Sequence, residues 1–85
     1  MMELKDTIDL MTSEDYKERF KAEYLQAAIR CKKLGAFLDM LTRGEIPQRY
    51  QLQQVVLGGQ YTMLCAYLQI LRERAEAEGI ELPEV

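Results

Sequence analysis

The sequence has no histidine and no tryptophan, and its one serine is Ser13. Without histidine, Ser-His triads, imidazole general bases and His-ligated metal sites are all excluded. The two cysteines, Cys31 and Cys65, are too few for a disulfide framework and too far apart for a Cys-x-x-Cys metal knuckle. Each falls in or beside an apolar stripe, so both read as small buried hydrophobes. No stretch approaches the ~18–20 apolar residues of a membrane span, and none has the layout of a secretory signal. The expected setting is therefore a reducing cytoplasm, away from any membrane. Gly58-Gly59 has neither the lysine nor the preceding strand of a phosphate-binding loop. Glu73 and Glu76 lie among Arg72 and Arg74 at a helix end and lack the Glu-x-x-His spacing of bundle di-iron sites, so neither a metal nor a cofactor is expected.

What is present describes one small globular domain. The chain has 85 residues, of which 48% are apolar and 29% charged, a balance that favours a packed core over disorder. The net charge of −3 is unevenly spread: residues 1–15 carry −4, residues 16–50 carry +4 and residues 51–85 carry −3. An acidic chain with a basic middle is a poor general DNA binder, because such affinity grows with the number of phosphates neutralised. A local site for one small anion remains compatible with this distribution.

Thr12-Ser13-Glu14-Asp15 has the composition of a helix start. Beyond it Phe20, Tyr24, Ala27, Cys31, Leu34, Leu38 and Leu41 recur at alternating intervals of four and three, with Tyr16 one turn earlier, which is a helical seam. Gly44 supplies a stop and Ile46-Pro47 a new start, so one helix is expected over about 13–43 and a second over about 47–78. In the second, Leu57, Tyr61, Leu64, Leu68, Leu71 and Ala75 form one stripe, and Val56, Met63, Tyr67 and Ile70 form another beside it. Gly79 ends that helix, Ile80 can fold back on its last turn, and Pro83 blocks continuation. The expected organisation is an N-terminal arm or short helix over 1–12, a helical hairpin over 13–79 and a tail over 80–85. Met11 could itself start translation, which would make the first ten residues an extension.

A single partner helix cannot cover both stripes of the second helix. The spare stripe predicts self-association, and the expected fold is an all-α antiparallel two-helix hairpin with a short arm, assembled into a homo-oligomeric helical bundle. The competing expectation is that residues 1–10 cover the spare stripe. Gly35 and Ala28 flank the first seam and permit close approach. Gly58 and Gly59 sit inside the second helix, where each costs about 0.5–1 kcal/mol relative to alanine; they mark either a tight crossing, a kink or a ligand approach, or they are simply tolerated.

At 100° per residue, Arg19 and Arg30 share one line along the first helix, bordering the seam on one side, and Lys17, Lys21 and Lys32 border it on the other, next to Tyr24. Arginine suits bidentate phosphate contacts, and tyrosine can stack on a base as well as pack. Salt bridges along the helix surface are the plainer reading of the same charges.

The run Glu18-Arg19-Phe20-Lys21-Ala22-Glu23-Tyr24-Leu25-Gln26, followed by Arg30, Leu34, Phe37 and Leu38, and then by Leu57, Gln60, Met63, Tyr67, Leu68, Ile70, Leu71 and Arg74, resembles the small helical-hairpin proteins of tailed bacteriophages. That group includes the sponges that inhibit CBASS and Thoeris bacterial immunity. The resemblance covers about residues 13–80. It implies a compact helical oligomer, often a hexamer, that holds a cyclic oligonucleotide or a cyclic ADP-ribose-type signal between protomers without cleaving it. The matching residue types are Tyr16, Lys17, Arg19, Tyr24 and Arg30 in the first half and Gln60, Tyr67 and Arg74 in the second. The function so implied is a non-enzymatic anti-defence protein that starves an immune effector of its activator. The alternative is a small helical adaptor of a phage that binds no nucleotide. An enzyme acting on the same signals would need a nucleophile or metal that this inventory does not offer.

Overall fold

Asp15 opens the longest helix. Its backbone is extended, its carboxylate accepts from the Lys17 N–H at 2.9 Å, and its own N–H donates to Ser13 Oγ at 3.0 Å. The cap therefore falls just past the expected Thr12-Ser13, with Ser13 bracing the capping residue one step upstream. The computed structural model describes residues 2–45 and 53–85. It contains a 3₁₀ turn at Leu4–Thr7, α1 at Ile8–Met11, α2 at Tyr16–Thr42 and α3 at Gln54–Glu78, with no strand among the described residues. The expected helix start at Ile46-Pro47 lies outside the described residues.

Both long helices stop at a glycine in the left-handed region, where a Cβ would be strained. At the end of α2, Gly44 has φ 74°, and the N–H groups of Gly44 and Glu45 donate back to the Leu41 and Met40 carbonyls at 3.1 and 3.0 Å. At the end of α3, Gly79 has φ 68°, and Gly79 and Ile80 donate to Glu76 and Ala75 at 3.3 and 2.8 Å. Ile80 folds back as expected and is buried with Leu71 and Ala75.

The two helices run antiparallel. Contacts pair Phe20 with Arg74, Tyr24 with Arg72, Cys31 with Cys65 and Gly35 with Tyr61, so partners descend in α3 as they rise in α2. The core between them contains Phe20, Tyr24, Ala27, Ala28, Cys31, Leu68, Leu71, Ala75 and Ile80, with Leu64 and Leu82 packed at its margin. These are the two expected seams facing each other. Gly35 is the tightest point: a Cβ there would lie 3.0 Å from Cε2 of Tyr61.

The arm packs on α2, and on its far side. Gln26 donates to Thr7 Oγ1 at 2.9 Å and to Met11 Sδ at 3.2 Å, and Lys33 pairs with Glu3 at 2.8 Å. Ala22, Leu25 and Ile29 are buried on this same face, about half a turn from the α3 seam. Thr7 is fully buried and donates to the Leu4 carbonyl at 2.7 Å, which satisfies a hydroxyl that would otherwise be costly inside. The arm thus does not cover the spare stripe of α3, contrary to the competing expectation. Val56, Met63 and Ile70 stand 74%, 65% and 51% exposed, and Tyr67 is exposed beside them. Gly58 and Gly59 meet nothing either: a Cβ at each would point into open space.

Candidate functional site

The hairpin has two edges, and the candidate residues divide between them. Along one edge lies an open cleft of about 870 Å³, walled by Tyr24, Ala28, Cys31, Lys32, Gly35, Leu38, Asp39 and Thr42 of α2, by Tyr61, Leu68 and Arg72 of α3, and by Glu84 and Val85 of the tail. That volume falls within the range of about 300–1,000 Å³ typical of small-molecule sites. The absence of a side chain at Gly35 lets the Tyr61 ring lie against α2 and form part of the wall. Toward the other end, Arg72 places its guanidinium carbon 5.8 Å from the centre of the Tyr24 ring. Lys32 stands on the same side, its ammonium 3.5 Å from the Val85 carbonyl. Two cations and two phenols therefore share this wall with two carboxylates, those of Asp39 and Glu84.

On the opposite edge, Tyr16, Glu23, Tyr67 and Arg74 form a second polar cluster. Arg74 donates to Tyr16 Oη at 3.0 Å, lies 4.9 Å over the Phe20 ring and pairs with Glu78 at 3.6 Å. The Tyr67 hydroxyl donates to the Glu23 carboxylate. That hydrogen bond, with lesser help from burial and from the charge of Glu23, pushes the Tyr67 phenol above its ordinary value. Arg74 pulls the other way, which puts the four side chains in one electrostatic group.

The structure therefore brings together Tyr16, Tyr67 and Arg74, and it separates Tyr24 from them. Tyr24 packs in the core and opens on the cleft, because its position on α2 turns it toward Arg72 rather than Arg74. Arg19 is turned back on its own loop, donating to the Ser13 carbonyl at 2.9 Å. Lys17 and Arg30 are exposed on α2, and Gln60 is exposed on α3, one turn before Met63. Sequence reasoning missed Arg72, Tyr61, Lys32 and Glu23 as site members. Lys32 was legible as the lysine bordering the seam beside Tyr24; Arg72 needed the register between the helices.

The cysteines depart from expectation. Cys31 is buried, but Cys65 is exposed. Their sulfurs face each other across the seam at 3.8 Å. Burial, then the hydrogen bond to Cys65, pushes the Cys31 thiol up. The charge of Cys65 and a hydrogen bond with it push the Tyr61 phenol up in turn. Among the described residues, no group of three or more cysteine, aspartate or glutamate side chains could hold a metal ion, and no helix is long and apolar enough to cross a membrane.

These features define an all-α hairpin protein with an open, cation- and tyrosine-lined cleft along one edge and an uncovered apolar stripe beside the other. A family model described as Sequestin matches residues 14–77, a range that includes α2 and nearly all of α3. The chain belongs to the Sequestin family. No curated protein and no solved structure matches it.

Proposed function

We propose that this protein binds a cyclic nucleotide signal, a cyclic oligonucleotide or a cyclic ADP-ribose-type molecule, and sequesters it without turnover. The observation that carries this reading is the Tyr24–Arg72 stack in the cleft with Lys32 beside it. The guanidinium of Arg72 offers a fork to a phosphate, and the exposed ring of Tyr61 on the same wall offers a face to a base. The family name points the same way, toward capture of a ligand. Holding a signal demands affinity and not a nucleophile, and a chain without histidine suits that role.

The biological setting we propose is a phage protein in the cytoplasm of an infected bacterium, depriving CBASS or Thoeris effectors of their activator. We further propose that copies of the chain associate through the exposed face of α3. Val56, Gln60, Met63, Tyr67, Ile70 and Arg74 repeat there at intervals of four and three; the apolar Val56, Met63 and Ile70 are exposed, while Tyr67 and Arg74 reach back to Glu23 and Tyr16 of α2. Association would enclose Tyr16, Tyr67 and Arg74 and bring Lys17, Arg19, Arg30 and Gln60 of neighbouring copies toward shared pockets. The same exposed stripe is the one observation that favours the second reading, an adaptor whose partner is another protein.

Titration calorimetry against cyclic dinucleotides, cyclic trinucleotides and cyclic ADP-ribose isomers tests the primary reading. Saturable heat with at least one, in a folded protein, is the expected result; no heat with any of them would falsify it. Light scattering separates the two uses of the stripe. A closed homo-oligomer supports self-association, and a monomer at tens of micromolar favours the adaptor.

A further inference from the structure

Cys31 and Cys65 are the only cysteines in the chain, and the fold sets them sulfur to sulfur across the α2–α3 seam at 3.8 Å. They are 34 residues apart, so nothing in the local sequence forces the pairing. We propose that this pair is a thiol–disulfide site that reacts with low-molecular-weight disulfides, closing an intrachain bond that locks α2 to α3 beside the cleft.

The geometry supports closure. A disulfide requires sulfurs about 2.05 Å apart, so the present contact must shorten by somewhat under ~2 Å. Side-chain rotation and a small sliding of the helices can supply that. The α2 residues one turn before Cys31 on this seam are Ala27 and Ala28, whose small side chains leave the helices close. The two thiols also differ in access. Cys65 is exposed and Cys31 is buried, with its thiol pushed up by burial. Attack therefore begins at Cys65. Its thiolate attacks one sulfur of the external disulfide, forms a mixed disulfide and releases one external thiolate. Cys31 then loses its proton, attacks the Cys65 sulfur and releases the second external thiolate. The external disulfide is reduced to two thiols, and the protein dithiol is oxidised to one intrachain disulfide.

The consequence lies in the cleft wall. Cys31 lines the cleft, and Cys65 acts electrostatically on Tyr61, another wall residue. Oxidation draws the Cys65 sulfur toward Cys31 and leaves no titratable thiol to act on Tyr61. The site stands whether or not the cleft takes a nucleotide, since it rests on the sulfur pair alone.

The test is to incubate the reduced full chain with oxidised glutathione, quench with an alkylating agent, and measure intact mass under denaturing conditions. The expected product is a monomer lighter by about 2 Da, with neither cysteine alkylated. Its thermal midpoint should rise by roughly 10 °C or more, because the bond closes a long loop in the unfolded chain. Cys31→Ser should accumulate a lasting glutathione adduct at Cys65, and Cys65→Ser should react at least about tenfold more slowly than wild type. A wild-type chain that keeps both thiols alkylatable, that stalls as the glutathione adduct, or that cross-links between chains would overturn the proposal.

Discussion

Arg72 of α3 lies over the ring of Tyr24 of α2, its guanidinium carbon 5.8 Å from the ring centre, and the two form one wall of the cleft. The pair tests the cleft directly, because Arg72 is exposed and its removal leaves the core packing in place. Arg72→Ala should weaken nucleotide binding at least about tenfold, equivalent to about 1.4 kcal/mol, with helicity unchanged by circular dichroism. Arg72→Lys should recover part of the loss, since a lysine keeps the charge but not the planar fork. Unchanged affinity in Arg72→Ala would move the site off this edge.

The Tyr67–Glu23 bond makes stability depend on alkaline pH. The Tyr67 phenol is pushed up in the folded chain, first by its hydrogen bond to Glu23. A group with a raised folded value stabilises fully below its unfolded value, about 10 for tyrosine, and that contribution is lost as pH rises through the folded value. Thermal midpoints measured from pH 8 to about 11 should therefore fall more steeply above about pH 10 in wild type than in Tyr67→Phe. At neutral pH, Tyr67→Phe should cost about 0.5–1 kcal/mol for the lost bond. Parallel curves for the two proteins would show that the bond does not form in solution.

Gly58 and Gly59 sit inside α3, and a Cβ at either meets nothing within 4 Å. Alanine at each position should raise stability by about 0.5–1 kcal/mol through helix propensity and reduced freedom of the unfolded chain. Urea denaturation measures it. A loss of stability at either site would mean that another copy of the chain, or a partner, comes within van der Waals distance there.

Leu71 is the centre of the interhelical core, with 0% of its surface exposed. Leu71→Ala should cost about 2–5 kcal/mol, a large share of what a domain this small can hold. Denaturant melts should show most of that loss. A cost under about 1 kcal/mol would contradict the packing of α2 on α3 described here.

Much of this fold was legible because the chain marks its own helices. Gly79 and Ile80 announced the end of α3, and the bond from Ile80 to Ala75 realises it. The four-three alternation through Phe20, Tyr24 and Cys31 announced the buried face of α2. The cap at Asp15 was missed by a few residues because hydroxyl and carboxylate side chains cluster there and compete for the same N–H groups. The site was less legible, for a different reason. A seam fixes which faces meet but not the register along it, and one heptad of sliding would set Tyr24 against Cys65 or Gly79 in place of Arg72. The family resemblance grouped Tyr24 with Tyr16 and Arg74; the register sends it to Arg72 on the other edge. The exposure of Cys65 follows from the same cause, since its position beside Leu64 turns it to the margin of the core. The arm was illegible in direction. Its Thr7 and Met11 meet Gln26 on the back of α2, a polar residue that no apolar periodicity singles out.

The central claim is capture without turnover, and one measurement reaches it most directly. A cyclic nucleotide found to bind is mixed with excess protein, the free fraction is removed by filtration, and the protein is heated to release what it holds. The account predicts that the filtrate is depleted and that the released molecule returns with its mass unchanged. Ligand left free in the filtrate, or returned as a linear or hydrolysed product, would contradict it.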